Sequence, residues 1–223
     1  MNNKYKHIAV IPARKNSKSL PFKNRFLFKH TAEFLKNNKL FSKVYVNSDD
    51  LYLKDLAYKY NFIFFKRKKK LASDTSCIKE VFVDMNNKLK FHSKTFIWLF
   101  YIPLVYKNNA DFKKSVKIVE QKKLKSICSF KEAETHPMSC WYIKNNKPSQ
   151  FIKNNLCRRQ DFTKAYSHHH YICGFNVKFL KKLNNELIFK DTFPILLNSN
   201  TSKKLIEVDT PEELKKFKKM SKN

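Results

Sequence analysis

The stretch from His7 to Arg25, HIAVIPARKNSKSLPFKNR, constrains the fold more than any other. It opens with Ile8-Ala9-Val10-Ile11, an apolar run of the length of a buried strand. Pro12 is expected to close that strand, because it has no N–H to give to a sheet ladder. The chain then turns polar and basic, with Arg14, Lys15, Lys18 and Lys23 set among Asn16, Ser17, Ser19 and Asn24. In an open α/β sheet, ligands bind beyond the carboxyl ends of the strands. Backbone N–H groups of such a loop can face phosphate oxygens, while the cations offset their charge. The same residues also read as a solvated surface loop.

Strand and helix patterns alternate along the chain, which predicts an α/β fold: a mainly parallel sheet with helices on both faces. Strands are expected at 8–11, 44–47, 62–65, 95–100, 126–130, 171–176 and 205–208, and helices at 31–37, 51–60, 76–89 and 111–122. Asp209-Thr210-Pro211-Glu212-Glu213 has a capping residue, an early proline and acids in the first turn. A terminal helix should therefore run to about Met220. Residues 135–165 are rich in Lys, Asn, Ser and Pro without helical period, and read as an insertion of loops and short strands. With 223 residues, no repeat and no clean linker, the chain is expected to be one domain.

Composition removes several function classes. No apolar run approaches the ~20 residues of a membrane helix, and the N-terminus lacks a signal-like apolar core, so no export and a cytoplasmic location are expected. Cys77, Cys128, Cys140, Cys157 and Cys173 are scattered and never in C-x-x-C spacing. That argues for reduced thiols, against a zinc–cysteine site and against a disulfide framework. The net charge is +29, from 47 Lys and Arg against 18 Asp and Glu. Such a balance suggests nucleic acid or an anionic surface. Here the lysines are spread from end to end, and Lys66-Arg67-Lys68-Lys69-Lys70 is the only dense run. The expectation is compositional drift plus anionic substrates, with no specific nucleic acid and no membrane partner.

The segment Pro12-Ala13-Arg14-Lys15-Asn16-Ser17-Lys18-Ser19-Leu20-Pro21-Phe22-Lys23-Asn24 resembles the nucleotide loop of the acylneuraminate cytidylyltransferases, the CMP-sialic acid synthetase family. Ser19 stands where that family usually has Gly; Asn16 can take a left-handed backbone, whereas Ser19 is penalised if its φ is positive. Leu71-Ala72-Ser73-Asp74-Thr75-Ser76 is similar to the family segment lining the nucleoside, and Arg67 falls where an arginine meets the base. His136-Pro137 resembles the opening of its dimerisation and sugar-binding region. Arg158-Arg159-Gln160-Asp161 resembles a segment where a cation meets the acidic sugar. Ile206-Glu207-Val208-Asp209-Thr210-Pro211-Glu212 resembles I-D-I-D-T-P-E, with Glu207 for the first Asp.

The resemblance implies a Rossmann-like nucleotidyltransferase that moves CMP from CTP to an acidic, nonulosonic-type sugar. Arg14, Lys23 and Asp209 would be catalytic. Ser17, Lys18, Asn24, Arg67, Ser73, Asp74 and Thr75 would bind CTP, and Arg159, Gln160 and His169 would meet the sugar. Asp209 and Glu207 would hold Mg²⁺, and a homodimer would form. The sequence departs from the family at Leu99, Tyr101 and Ile102, where Gln, Thr and Ser are usual, and at Tyr166 to Cys173. A homologue with weak or lost turnover, or a basic nucleic-acid-binding protein, are the alternatives. Asp209 also reads as a plain helix cap, and Ser73 to Thr75 as another. On a strand, His168 and His170 would share a face and so could ligate a metal; the run is read rather as the sugar end of the cleft.

Overall fold

The structure is a computed structural model that describes residues 4–156 and 158–220. Seven strands form the main sheet. They are β1 Lys6–Ala13, β2 Lys43–Ser48, β3 Ile63–Lys66, β4 Thr95–Leu99, β5 Ser126–Glu132, β8 Tyr166–Asn176 and β9 Thr192–Leu196. Their order is β3-β2-β1-β4-β8-β5-β9. All neighbours are parallel except β8, which runs antiparallel to both β4 and β5. A separate hairpin, β6 Trp141–Lys144 and β7 Lys147–Gln150, lies in the predicted insertion. Its turn, Asn145-Asn146, takes positive φ at both positions (51° and 59°), which asparagine tolerates and a two-residue hairpin turn requires.

Alternation along the strands builds two cores. Ala9, Ile11, Phe96 and Trp98 face one side, under α1 Lys23–Lys36, α2 Leu51–Lys59 and α4 Asn109–Lys122. Ile8, Val10, Ile97 and Leu99 face the other, under α3 Ile78–Leu89 and the short turn Val177–Lys182. Central strands buried on both faces account for the continuous apolar runs of β1 and β4. α5 Ser199–Lys204 and α6 Pro211–Met220 complete the chain. Phenylalanine fills the first core: Phe41, Phe100 and Phe112 make ring contacts at 5.0–6.5 Å. At one edge of it, Trp98 Nε1 donates to His7 Nδ1 at 3.0 Å, so the His7 Nε2–H faces Glu120 Oε1 at 2.8 Å.

Several expected boundaries are corrected. Pro12 lies inside β1, paired with Asn47, and the strand runs to Ala13. The Val10 carbonyl accepts from Phe100 N, so Val10 and Pro12 bond toward β4, and β4 has ended by the level of Pro12. The missing N–H therefore costs no ladder bond. α1 begins at Lys23, not at residue 31, because Leu27, Phe28, Thr31, Ala32 and Leu35 already form its buried stripe. α3 begins at Ile78, not at residue 76. Residues 205–208 are not a strand of the sheet: Glu207 forms only an isolated bridge to Leu104. The strand at 192–196 went unpredicted, since Thr-Phe-Pro-Ile-Leu is short and broken by Pro194, which an edge position tolerates.

The single glycine is explained by packing. Gly174 on β8 lies opposite Trp98 on β4. A Cβ there would come within 2.8 Å of the Phe96 ring, 3.0 Å of the Ile97 carbonyl and 3.2 Å of the Trp98 ring.

Candidate active site

A cleft of about 280 Å³ opens at the carboxyl ends of β1 and β4. It gathers Arg14, Lys23, Asn24, Arg67, Ser73 and Asp74 on one side, with Glu207, Asp209, Tyr101 and Pro103 completing the lining. Eight residues predicted from sequence thus meet in one cavity, although they span nearly 200 positions of chain (roughly, by the numbering).

The basic wall is tied into the fold. Asn24 is buried and donates from Nδ2 to the Arg14 carbonyl at 2.9 Å, which fixes the exit of β1 against the first turn of α1. Lys15 N donates to Asp49 Oδ1 at 2.8 Å, holding the loop to the end of β2. Arg25 donates twice to Asp50, at 2.7 and 2.9 Å, and Asp50 also caps α2 through Tyr52 N. Neither Asn16 nor Ser19 has positive φ; Phe22 does, at 55°, so Ser19 carries no backbone strain for want of a glycine. Arg67 is buried, donating to the Asn47 side-chain and main-chain oxygens at 2.6 and 3.0 Å. Burial lowers its pKa to about 10, opposed by the charge of Asp49.

Carboxylates already pair with Arg14, Lys18 and Lys23. Asp74 pairs with Arg14 and, at 3.2 Å, with Lys18. Those contacts, Lys18 foremost and Arg14 after it, hold its carboxyl below the ordinary range. Lys23 pairs with Asp209 across the cleft. Ser73 Oγ lies 3.2 Å from Thr75 Oγ1 and 2.7 Å from Ser76 Oγ, and Ser76 donates to the Lys70 carbonyl at 2.7 Å. This hydroxyl cluster closes a turn, and it is not the cap of α3: the residue before that helix is Cys77, which makes no side-chain cap.

The acidic wall has a different construction. Val208 N donates to the Pro103 carbonyl at 3.0 Å, and Glu207 bridges Leu104. Asp209 is not the cap of α6. Thr210 Oγ1 accepts from Glu213 N, while Glu213 Oε2 accepts from the backbone N–H of Asp209 and Thr210, both at 2.8 Å. This reciprocal box leaves the Asp209 carboxylate to face Lys23. Glu207 keeps an exposed face, yet the protein packed around it, and then the charge of Asp209, raise its pKa. Two repelling carboxylates supply hard oxygen ligands, a donor set that fits Mg²⁺.

Other predicted residues lie elsewhere. Ser17 is half-buried in the β1–α1 loop. Gln160 lines a second cavity with His136, Phe162 and Thr163 in the insertion. Arg159 begins the short turn Arg159–Asp161, and its side chain lies outside the described residues, as does Cys157. His169 is on β8; its Nδ1 accepts from Tyr171 N and its carbonyl from Ser129 Oγ at 2.6 Å. Burial, then Lys131 and the two adjacent histidines, lower its pKa to about 4. Tyr101 was not predicted as a site residue. It lies two residues past the end of β4 and lines the cleft, and burial raises its pKa. The signal was its place: a polar-tipped aromatic just past the carboxyl end of a central strand.

Comparison with known proteins bears on the fold that carries this cleft. Residues 8–108 match the family model described as Cytidylyltransferase. That segment runs from β1 to the start of α4 and contains the basic wall, but not Glu207 or Asp209. No curated protein matches the chain. Among solved structures, CMP:2-keto-3-deoxy-manno-octonic acid synthetase complexed with CTP superposes with a TM-score of 0.67 at 14% identity, covering 97% of this chain and 98% of that one. A cytidylyltransferase from Leptospira borgpetersenii serovar Hardjo-bovis gives 0.59 at 15% identity, over 94% of this chain and 84% of that one. 4-Diphosphocytidyl-2C-methyl-D-erythritol synthase from Anaerococcus prevotii gives 0.61 at 13%, over 95% and 93%. At these identities the likeness establishes the fold: the Rossmann-like sheet of the cytidylyltransferases.

Proposed function

We propose that this chain is a cytidylyltransferase that transfers CMP from CTP to an acidic sugar, releasing pyrophosphate. The observation that carries the reading is the cleft in which Arg14, Lys23 and Arg67 stand across from Glu207 and Asp209. The family match over its basic wall supports the nucleotide class. The sugar class is supported by a structural neighbour named for a 2-keto-3-deoxy sugar acid.

In this reading the sugar hydroxyl forms a bond to the α-phosphorus of CTP. The bond from that phosphorus to the β-phosphate oxygen breaks, and one proton is released with the pyrophosphate. The chain's own residues position and neutralise, the main demands of such a transfer. Arg14 and Lys18 exchange Asp74 for the phosphates, and Lys23 spans from phosphate to Asp209. Arg67 and the hydroxyls of Ser73 and Thr75 face the nucleoside. Mg²⁺, held by Asp209 and Glu207, would supply positive charge to the phosphate oxygens. Arg159, Gln160 and His169 are assigned to the sugar side, beside the insertion.

A homodimer belongs to the same proposal. The insertion exposes Trp141 (54%), Ile143 (68%) and Phe151 (66%), a surface that a second copy of the chain would cover. The deciding experiment is a pyrophosphate-release assay with CTP, Mg²⁺ and a panel of 2-keto sugar acids. Release with one acid and with CTP alone among the nucleotides is expected. CTP binding without release would favour the homologue with lost turnover. Tight, sequence-selective duplex binding at physiological salt, with no CTP binding, would favour the nucleic-acid reading.

A further inference from the structure

β8 carries the run His168-His169-His170 beside a break in its pairing with β5. Cys128 pairs with Cys173, but the next residue, Ser129, pairs with His169. Three residues of β8 are thus looped out against none of β5. Ser129 Oγ holds the break, donating to the His169 carbonyl at 2.6 Å and accepting from Ile172 N at 3.0 Å. Bulges of this kind re-aim side chains. Here His168 and His170 come to one side, their rings edge to face with centroids 5.1 Å apart.

Glu186 meets them from a turn that is independently fixed. Asn184 Oδ1 accepts from the backbone N–H of Glu186 at 3.0 Å and of Ile188 at 2.9 Å. Leu187, at a φ of 61°, is fully buried and pins the turn. Glu186 Oε2 lies 3.3 Å from His168 Nε2 and 3.9 Å from His170 Nε2. All three ligand atoms fall within 4.8 Å of one another. Ligands about 2.0–2.1 Å from a tetrahedral ion stand roughly 3.4 Å apart, so the set needs only small movements to close on a metal.

We propose that His168, His170 and Glu186 form a second metal site, which takes a divalent transition-metal ion of the zinc class and leaves a coordination position open to solvent. Two imidazoles and one carboxylate are softer donors than the oxygen pair of Glu207 and Asp209, so the two sites select different metals. Three protein ligands leave room for water or another small ligand, as in open rather than closed zinc sites. His168 and Glu186 are exposed, which gives the ion an entry path. The site is one side chain from the cleft: the His170 ring packs edge-on against Tyr101 at 5.4 Å, and Tyr101 lines the cleft. At present His170 Nε2 lies 3.0 Å from the Glu186 carbonyl, and the ion takes the place of that proton.

This inference stands apart from the nucleotidyl-transfer reading, and its test reads metal binding alone. Full-length protein stripped with a chelator is titrated with Co²⁺ and followed by visible absorption, then with Zn²⁺ by calorimetry. One Co²⁺ per chain with a visible band that Zn²⁺ bleaches is expected. His168→Ala and Glu186→Gln should each weaken Zn²⁺ binding at least tenfold, while Asp209→Asn leaves it unchanged. Circular dichroism confirms that the variants are folded; both substitutions are on exposed side chains. Absence of the visible band, or Zn²⁺ affinity unchanged in both variants, would overturn the site and leave the three residues as ion pairs that tie β8 to the turn.

Discussion

On one side of the cleft, Arg14 and Arg67 directly follow β1 and β3, strands bonded into the sheet, and Lys23 and Asn24 open α1, whose buried stripe packs on it. On the other side, Glu207 and Asp209 sit on a connecting segment held by an isolated bridge to Leu104 and one bond to Pro103. The first wall comes from the strand–helix units that begin with β1 and β3, and inherits their rigidity. The second comes from the far end of the chain and leans on the loop after β4. Half of the site is therefore set by regular structure and half by a few tertiary contacts. A substitution on the acidic side should be felt through chemistry with little loss of fold, whereas the basic side also carries structure.

Asp209→Asn gives the largest expected effect. It should lower metal-dependent pyrophosphate release on the order of 10²-fold or more, as removal of a transition-state charge partner does. The α6 cap survives, because Thr210 and Glu213 make it, so the melting temperature should hold. Wild-type release rates in a folded variant would remove the acidic wall from the chemistry. Lys23→Ala tests a side chain that spans both walls. Calorimetry should show CTP binding weaker by the ~1.5–3 kcal/mol of a charge-assisted bond; an unchanged affinity would take the loop out of the site.

Gly174→Ala probes the sheet beneath both walls. The new methyl would collide with Phe96 and the Ile97 carbonyl, so denaturant unfolding should show a loss of about 1–3 kcal/mol. The smallest effect concerns the loop on which the acidic wall leans. Half-buried Lys107 donates from Nζ to the carbonyls of Leu104 and Tyr101. Burial lowers its pKa from 10.5 to about 7. Between those values the unfolded chain binds one more proton than the folded chain, so this contribution to stability grows as pH rises from about 7 and is complete above 10.5. Relative to Lys107→Met, the wild type should gain up to about 2 kcal/mol between pH 7 and 9. A pH-independent difference would show that the ammonium stays charged on its two carbonyls.

The basic wall was legible because it is local. An apolar run of strand length, Pro12-Ala13-Arg14 and the pair Lys23-Asn24 follow one another within a single strand–loop–helix unit. The segment Ser73-Asp74-Thr75 likewise carries its own turn. The acidic wall is legible as residues but not as structure: a short motif carries Glu207 and Asp209, and the strand expected to present them is a single bridge. β8 was read from Tyr171 onward, since its first five residues are polar and its bulge breaks the alternation on which strand recognition rests. Tyr101 looked like a lost polar position and proved to line the cleft.

The sequence by itself determined the alternating α/β layout, the strongly basic composition and the basic, hydrogen-bonding loop after the first strand. These depend on periodicity, charge count and short spacing, which a linear chain displays directly. Only the tertiary structure decided that Asp74 holds Arg14 and Lys18, that Lys23 meets Asp209 across 186 positions, and that Glu186 stands between two histidines. Each of those pairings joins residues from different elements. Such a distance is fixed by how sheets and helices pack, and no local pattern in the chain encodes it.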